Sequence, residues 1–117
     1  VVTRLGELER KVMEVLWSSM GTPISGRQLA DHLPDRAYTT VLTVLDRLRR
    51  KHLVERTAVG RLHVFAAVAS REAFMAELMV EALGGAEDRS AVLVHFAGTV
   101  SAEEATILRR ALGGESR

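Results

Sequence analysis

The residues best equipped for chemistry in this chain are Thr39, Thr40, Thr43, Arg47, Arg50 and Lys51, with Arg61 following after a short interval. At about 100° per residue, Thr40, Thr43, Arg47 and Arg50 share one side of a helix over residues 38–51, with Thr39 and Lys51 at its margins. Val41, Leu42, Leu45 and Leu48 make the apolar side. Hydroxyls and methyls near a helix start suit base edges and thymine methyls in a major groove, and guanidinium groups suit guanine edges or phosphates. A face used only for solvation usually mixes Glu with Lys, whereas this one runs from hydroxyls to cations. The competing reading is an ordinary surface helix rich in Thr and Arg.

Other chemistries find little support. There is no nucleophile elbow, phosphate loop or HExxH pattern. His32, His52, His63 and His95 lie in separate stretches without ligand spacing, so they read as structural and no metal or cofactor is expected. Glu103 and Glu104 are adjacent and belong to a helix start, not to an acid–base pair. Cysteine is missing, which excludes a disulfide framework, a thiolate zinc site and a catalytic thiol. No apolar run has signal-peptide or membrane-span length, so a soluble cytoplasmic protein that is not an enzyme is expected.

The net charge of +1 conceals a division. Residues 1–67 hold eleven Lys or Arg against seven Asp or Glu, while residues 68–117 hold five against eight. Arg47, Arg49, Arg50, Lys51, Arg56 and Arg61 are opposed locally only by Asp46 and Glu55. Such asymmetry suits an anionic partner for the first part, nucleic acid being the commonest.

The surrounding elements must hold that helix. Leu5, Leu8, Val12, Val15 and Leu16 give a first amphipathic helix that Gly21 and Pro23 stop. Met13 and Trp17 lie off its main stripe, as a second contact surface or with the tryptophan closing the core while partly exposed. Thr22-Pro23-Ile24 is a short extended piece, and Ser25 with Gln28 has capping-box spacing for a short helix through Leu33. A tight connection then leads into residues 38–51, which makes a helix-turn-helix. The alternating runs at 54–58 and 62–66, joined by Val59-Gly60-Arg61, form a β-hairpin with Gly60 and Arg61 near its tip. Helix, short strand, two helices and hairpin make a winged helix-turn-helix over residues 1–69.

Residues 70–117 return to helical periodicity. Ser70 caps a helix with Phe74, Met75, Leu78, Met79, Ala82 and Leu83 on its apolar face. The apolar run at 90–97 suits helix or strand, and helix is chosen because both flanks are helical. Ser101 and Glu104 cap a last helix striped by Ala105, Leu108, Ala111 and Leu112, with Gly113-Gly114 as its stop. Fifty such residues rarely bury their apolar surface alone. A second copy of the chain is the economical partner, through Phe74, Leu78, Met79, Val92, Phe96, Leu108 and Leu112 in an isologous dimer. A monomeric tail folded back on the first domain is the alternative. The fold class is thus mostly α with a small β-hairpin: a winged helix-turn-helix domain, then a three-helix dimerisation region.

Three stretches, LGELERKVMEVLW, YTTVLTVLDRLRRKHLV and GRLHVF, resemble the bacterial penicillinase-repressor family of the BlaI/MecI/CopY type. The similarity runs over nearly the whole chain and weakens in the last third. It implies a homodimeric repressor on palindromic operators, in relatives often at β-lactamase and sensor-transducer genes. It carries DNA contact onto Thr39, Thr40 and Thr43, with Arg47, Arg50 and Arg61 as further contacts. It also implies a protease or sensor in induction. In staphylococcal-type members induction follows cutting at an Asn-Phe bond, and the aligned place here reads Val94-His95-Phe96. The paired cysteines of the copper-responsive branch have no counterpart. The rivals are a winged helix that docks on protein and a repressor whose small-molecule inducer sits near Phe74, Met75 and Met79.

Overall fold

The computed structural model describes residues 5–113. The first helix, α1 (Glu7–Ser18), starts at Gly6, whose N–H donates to the Glu9 carboxylate at 2.9 Å. Val12, Met13, Leu16 and Trp17 are all buried along it. Met13 and Trp17 are therefore full members of the core, not a margin of it. Trp17 is buried without leaving its one polar atom unsatisfied, because its indole N–H donates to the Ala69 carbonyl at 3.1 Å.

The short strand β1 (Ile24–Ser25) runs directly into α2 (Gly26–Asp31). Ser25 Oγ accepts the Gln28 N–H at 3.1 Å, and Gln28 Oε1 accepts the Ser25 N–H at 2.9 Å, closing the expected capping box. Next comes α3 (Tyr38–Arg50), which buries Val41, Val44, Leu45 and Leu48. Leu42, expected on the buried stripe, is half-buried at its edge, and Val44 takes the inner place.

The hairpin is β2 (Val54–Val59) and β3 (Leu62–Ala67). With β1 it forms an antiparallel sheet of order β1-β3-β2, in which Ile24 faces Phe65 and Val59 faces Leu62. The extended piece before α2 is thus the third strand of the sheet. At the tip Gly60 adopts φ 63°, the left-handed conformation that the first central residue of a two-residue hairpin turn calls for.

Three further helices follow: α4 (Arg71–Gly84), α5 (Arg89–Ala97) and α6 (Ala102–Ala111). The run at 90–97 is helical, capped by Asp88, whose carboxylate accepts the Ala91 N–H at 3.1 Å. Among the described residues no helix is long and apolar enough to cross a membrane.

The chain divides into two compact units between Met79 and Val80, inside α4 and ten residues beyond the division expected from sequence. Phe74 explains the difference. It is 7% exposed, and its ring centroid lies 5.4 Å from that of Trp17. Leu78 also packs against this core. In the second unit no described residue is buried.

Candidate nucleic-acid interface

The candidate surface is built on α3, whose placement follows from its inner stripe. Burying Val41, Val44, Leu45 and Leu48 turns Thr39, Thr40, Thr43, Arg47 and Arg50 outward, and all five are exposed. The Thr43 hydroxyl donates to the Thr39 carbonyl at 2.9 Å, one turn back. That bond fixes its rotamer while leaving the oxygen lone pairs and the methyl group on the surface. Arg47, Arg49 and Arg50 occupy the last turn, where cations also suit the helix dipole.

Lys51 differs from the others. Its ammonium donates to Glu9 Oε2 at 2.8 Å, and Glu9 is 6% exposed. This pair ties the end of α3 to the start of α1, so Lys51 is directed at the protein and not outward. Burial opposes charge on Glu9, but the Lys51 and Gly6 hydrogen bonds and the charges of Lys51 and Arg47 outweigh it, holding the carboxyl below its ordinary range.

The helix ends by an unusual route. His52 sits at φ 65°, with its N–H bonded to the Arg49 carbonyl at 2.9 Å and the Leu53 N–H bonded to the Leu48 carbonyl at 3.0 Å. This is the Schellman arrangement, with histidine where glycine is usual. It reverses the chain sharply enough to send β2 up beside α3.

Between α3 and the hairpin lies an open cleft of about 390 Å³. Arg27, Arg49, Arg56, Arg61 and His63 border it, with Asp46 as its acidic lining residue. The Arg27 guanidinium lies 4.1 Å from the centroid of the Tyr38 ring, a cation–π contact that packs α2 on the start of α3. Arg61 is thus brought to the same side of the molecule as the α3 cations. Sequence reasoning grouped Arg49 and Arg56 with the basic run but gave them no role, and nothing in the pattern pointed to Arg27 or His63. Only the fold brings those two to the cleft.

The residues expected to dimerise separate into two sets. Phe74 and Leu78 belong to the first unit's core, so Phe74 in particular is not a free contact surface. Met79, Val92, Phe96, Leu108 and Leu112 are exposed.

A recognition helix free on one face, held in a helix-turn-helix and flanked by a basic β-hairpin, defines a winged-helix DNA-binding protein. Solved structures carry the same fold. A Staphylococcus aureus MepR–DNA complex superposes with a TM-score of 0.56 at 17% identity, covering 83% of this chain and 82% of that one. A MarR family protein from Bacillus stearothermophilus gives 0.53 at 17% identity, covering 94% and 71%. The penicillinase repressor family model matches residues 5–113. The transcriptional regulator BlaI of Mycobacterium tuberculosis, strains CDC 1551 / Oshkosh and H37Rv, is 50% identical over 95% of this chain and 84% of that protein. The chain belongs to the penicillinase repressor family: it is a DNA-binding transcriptional repressor and not an enzyme.

Proposed function

We propose that the chain represses as a homodimer on a palindromic operator, with one α3 helix in a major groove of each half-site. Thr39, Thr40 and Thr43 meet base edges in this reading, and Arg47, Arg50 and Arg61 reach bases or phosphates. The observation that carries it is the exposure of the whole outer face of α3 beside a wing whose tip presents Arg61. Lys51 supports the interface from behind through Glu9. Two-fold symmetry sets the half-sites about one helical turn or a little more apart. Repression follows from occupying a promoter in the cytoplasm that polymerase also needs, and β-lactamase-type genes are the regulated class.

In this reading winged-helix residues 1–69 supply the DNA contacts, and the pairing surface lies within residues 70–117, apart from Phe74 and Leu78, which the core of the first unit takes up. The family likeness adds a sensor or protease as inducing partner. The His95-Phe96 bond lies inside α5, so a protease acting there must first unwind that helix.

Footprinting on the DNA upstream of the chain's own gene tests the reading. Protection of two inverted half-sites supports it, and uniform coverage without a preferred site overturns it. Thr43→Ala is expected to lower the preference for operator over random duplex. Arg61→Ala should weaken binding to both and reduce the salt slope by about one unit if it meets one phosphate. Equal losses on the two duplexes for Thr43→Ala would contradict its role in reading bases.

A further inference from the structure

The stripe of α3 that faces most directly away from the core includes an acid. Taken at about 100° per residue, Thr39, Thr43, Asp46 and Arg50 fall within roughly 60° of arc, opposite Val41, Val44, Leu45 and Leu48. Thr40 and Arg47 flank this arc on one side, and Leu42 and Arg49 flank it on the side of the cleft. A carboxylate in the middle of a surface that meets phosphates is unfavourable unless it does something there.

Asp46 holds two arginines. Its Oδ2 forms an ion pair with Arg50 Nη2 at 2.6 Å, and its Oδ1 accepts a hydrogen bond from Arg49 Nη1 at 3.2 Å. Both pairs lie within one helix and are open to solvent, and such pairs add little to stability. Their geometric effect is larger. Arg50 is otherwise a long and freely rotating side chain, 79% exposed. A guanidinium held beside a carboxylate has fewer orientations open to its remaining donors, which suits the paired acceptors on a guanine edge.

We propose that Asp46 is a positioning residue for operator recognition: it orients Arg50 to read a guanine and, by its charge, weakens attachment to DNA of the wrong sequence. The inference rests on the operator reading above and names the group that sets its specificity. On random duplex the carboxylate repels phosphates and gains nothing. On the operator the oriented guanidinium offsets that repulsion. Asp46 therefore acts on the ratio of the two affinities more than on either alone.

The test uses a pool of duplexes with a randomised centre, enriched by repeated binding to the full wild-type chain. Wild type, Asp46→Asn, Arg50→Ala and the double variant are then titrated against the enriched duplex and the unselected pool at several salt concentrations. Asp46→Asn is expected to bind the pool several-fold more tightly, with a salt slope steeper by up to about one unit. It should bind the enriched duplex about threefold more weakly, because Arg50 is no longer oriented, so the ratio of affinities falls about tenfold. Its own enrichment should lose a guanine preference at one position of each half-site. In the Arg50→Ala background the same substitution should leave the ratio unchanged, because the group it orients is gone.

Equal tightening on both duplexes by Asp46→Asn would overturn the proposal, since the carboxylate would then be a plain repulsive charge. A tenfold fall in ratio that persists without Arg50 would also overturn it. A wild-type chain that enriches no sequence at all sinks the operator reading and this inference together, whereas the other two outcomes sink this inference alone.

Discussion

Glu9 joins stability to the recognition surface through single atoms. One carboxylate oxygen caps α1 by accepting the Gly6 N–H, and the other holds the Lys51 ammonium at the end of α3. Replacing it with Gln leaves a poorer cap and a partly buried cation without its counter-charge, at a cost of about 2 kcal/mol. The pH dependence separates the two states. Glu9 has a depressed folded-state pKa, so its contribution is present above the unfolded carboxyl pKa and is lost as pH falls through the folded one. Denaturant titrations between neutral and acid pH should therefore show wild type losing stability more steeply than Glu9→Gln, with the two curves converging in acid. Parallel curves would mean that the pair contributes nothing to folding. Sequence reasoning gave Glu9 no role and placed Lys51 among the DNA contacts. The pair itself was not legible, because it spans 42 positions and no local pattern connects them. The outward residues Thr39, Thr40, Thr43, Arg47, Arg50 and Arg61 were legible for the converse reason, since helical and hairpin periodicities alone fix their direction.

At the scale of elements, two junctions set where α3 and the wing stand. One is the reversal at His52, whose left-handed backbone costs a residue with a Cβ about 1–2 kcal/mol. His52→Gly relieves that strain but adds freedom to the unfolded chain, for a net gain of about 0.5–1 kcal/mol. The thermal midpoint should rise, and DNA affinity should stay unchanged because the exposed imidazole carries no described interaction with α3. A fall in stability would mean that the histidine ring contributes something the backbone geometry does not reveal. The other junction is Trp17, which meets Ala69 through its indole N–H, Phe74 ring to ring, and the Arg71 guanidinium 5.5 Å from its ring centroid. Arg71 in turn donates to the Glu14 carboxylate, and that bond holds its pKa above the ordinary value. Trp17→Ala should cost about 3–5 kcal/mol, as expected when a large buried aromatic is removed. A loss under 1 kcal/mol would show that the start of α4 packs without it. Residues 90–97 were read as helix only from their flanks, whereas the hairpin, the caps at Ser25, Ser70 and Ser101 and most helices were legible because each has a local signal. The attachment of the first half of α4 to Trp17 was not, because an apolar stripe specifies that a face is covered and not what covers it.

That ambiguity becomes decisive for the whole molecule. The second unit has Val92, Val94, Phe96, Ile107, Leu108 and Leu112 exposed, with Val94 at 73% and Leu112 at 83%. Phe96, Val100, Ile107 and Leu108 line one open apolar hollow with Thr99 and Glu104. Apolar surface of this kind on a small helical unit suits the proposed pairing, since closed two-fold association is the commonest way for identical chains to cover it. Burying one such side chain at an interface contributes about 1.5–3 kcal/mol, so two charges placed there suffice to undo a modest dimer. Phe96→Asp with Leu108→Asp should sediment as a monomer at concentrations where wild type is a dimer. The far-UV spectrum and the melting of the winged helix should persist, since the core around Val12, Leu45 and Leu48 contains neither residue. Operator affinity should then fall by about a hundredfold or more, because two half-sites bound by linked subunits gain an effective concentration that separate chains lack. Random duplex, which offers no paired half-sites, should lose much less. A double variant that remains dimeric, or a monomer that keeps full operator affinity, would mean that pairing and DNA recognition are not joined through this surface.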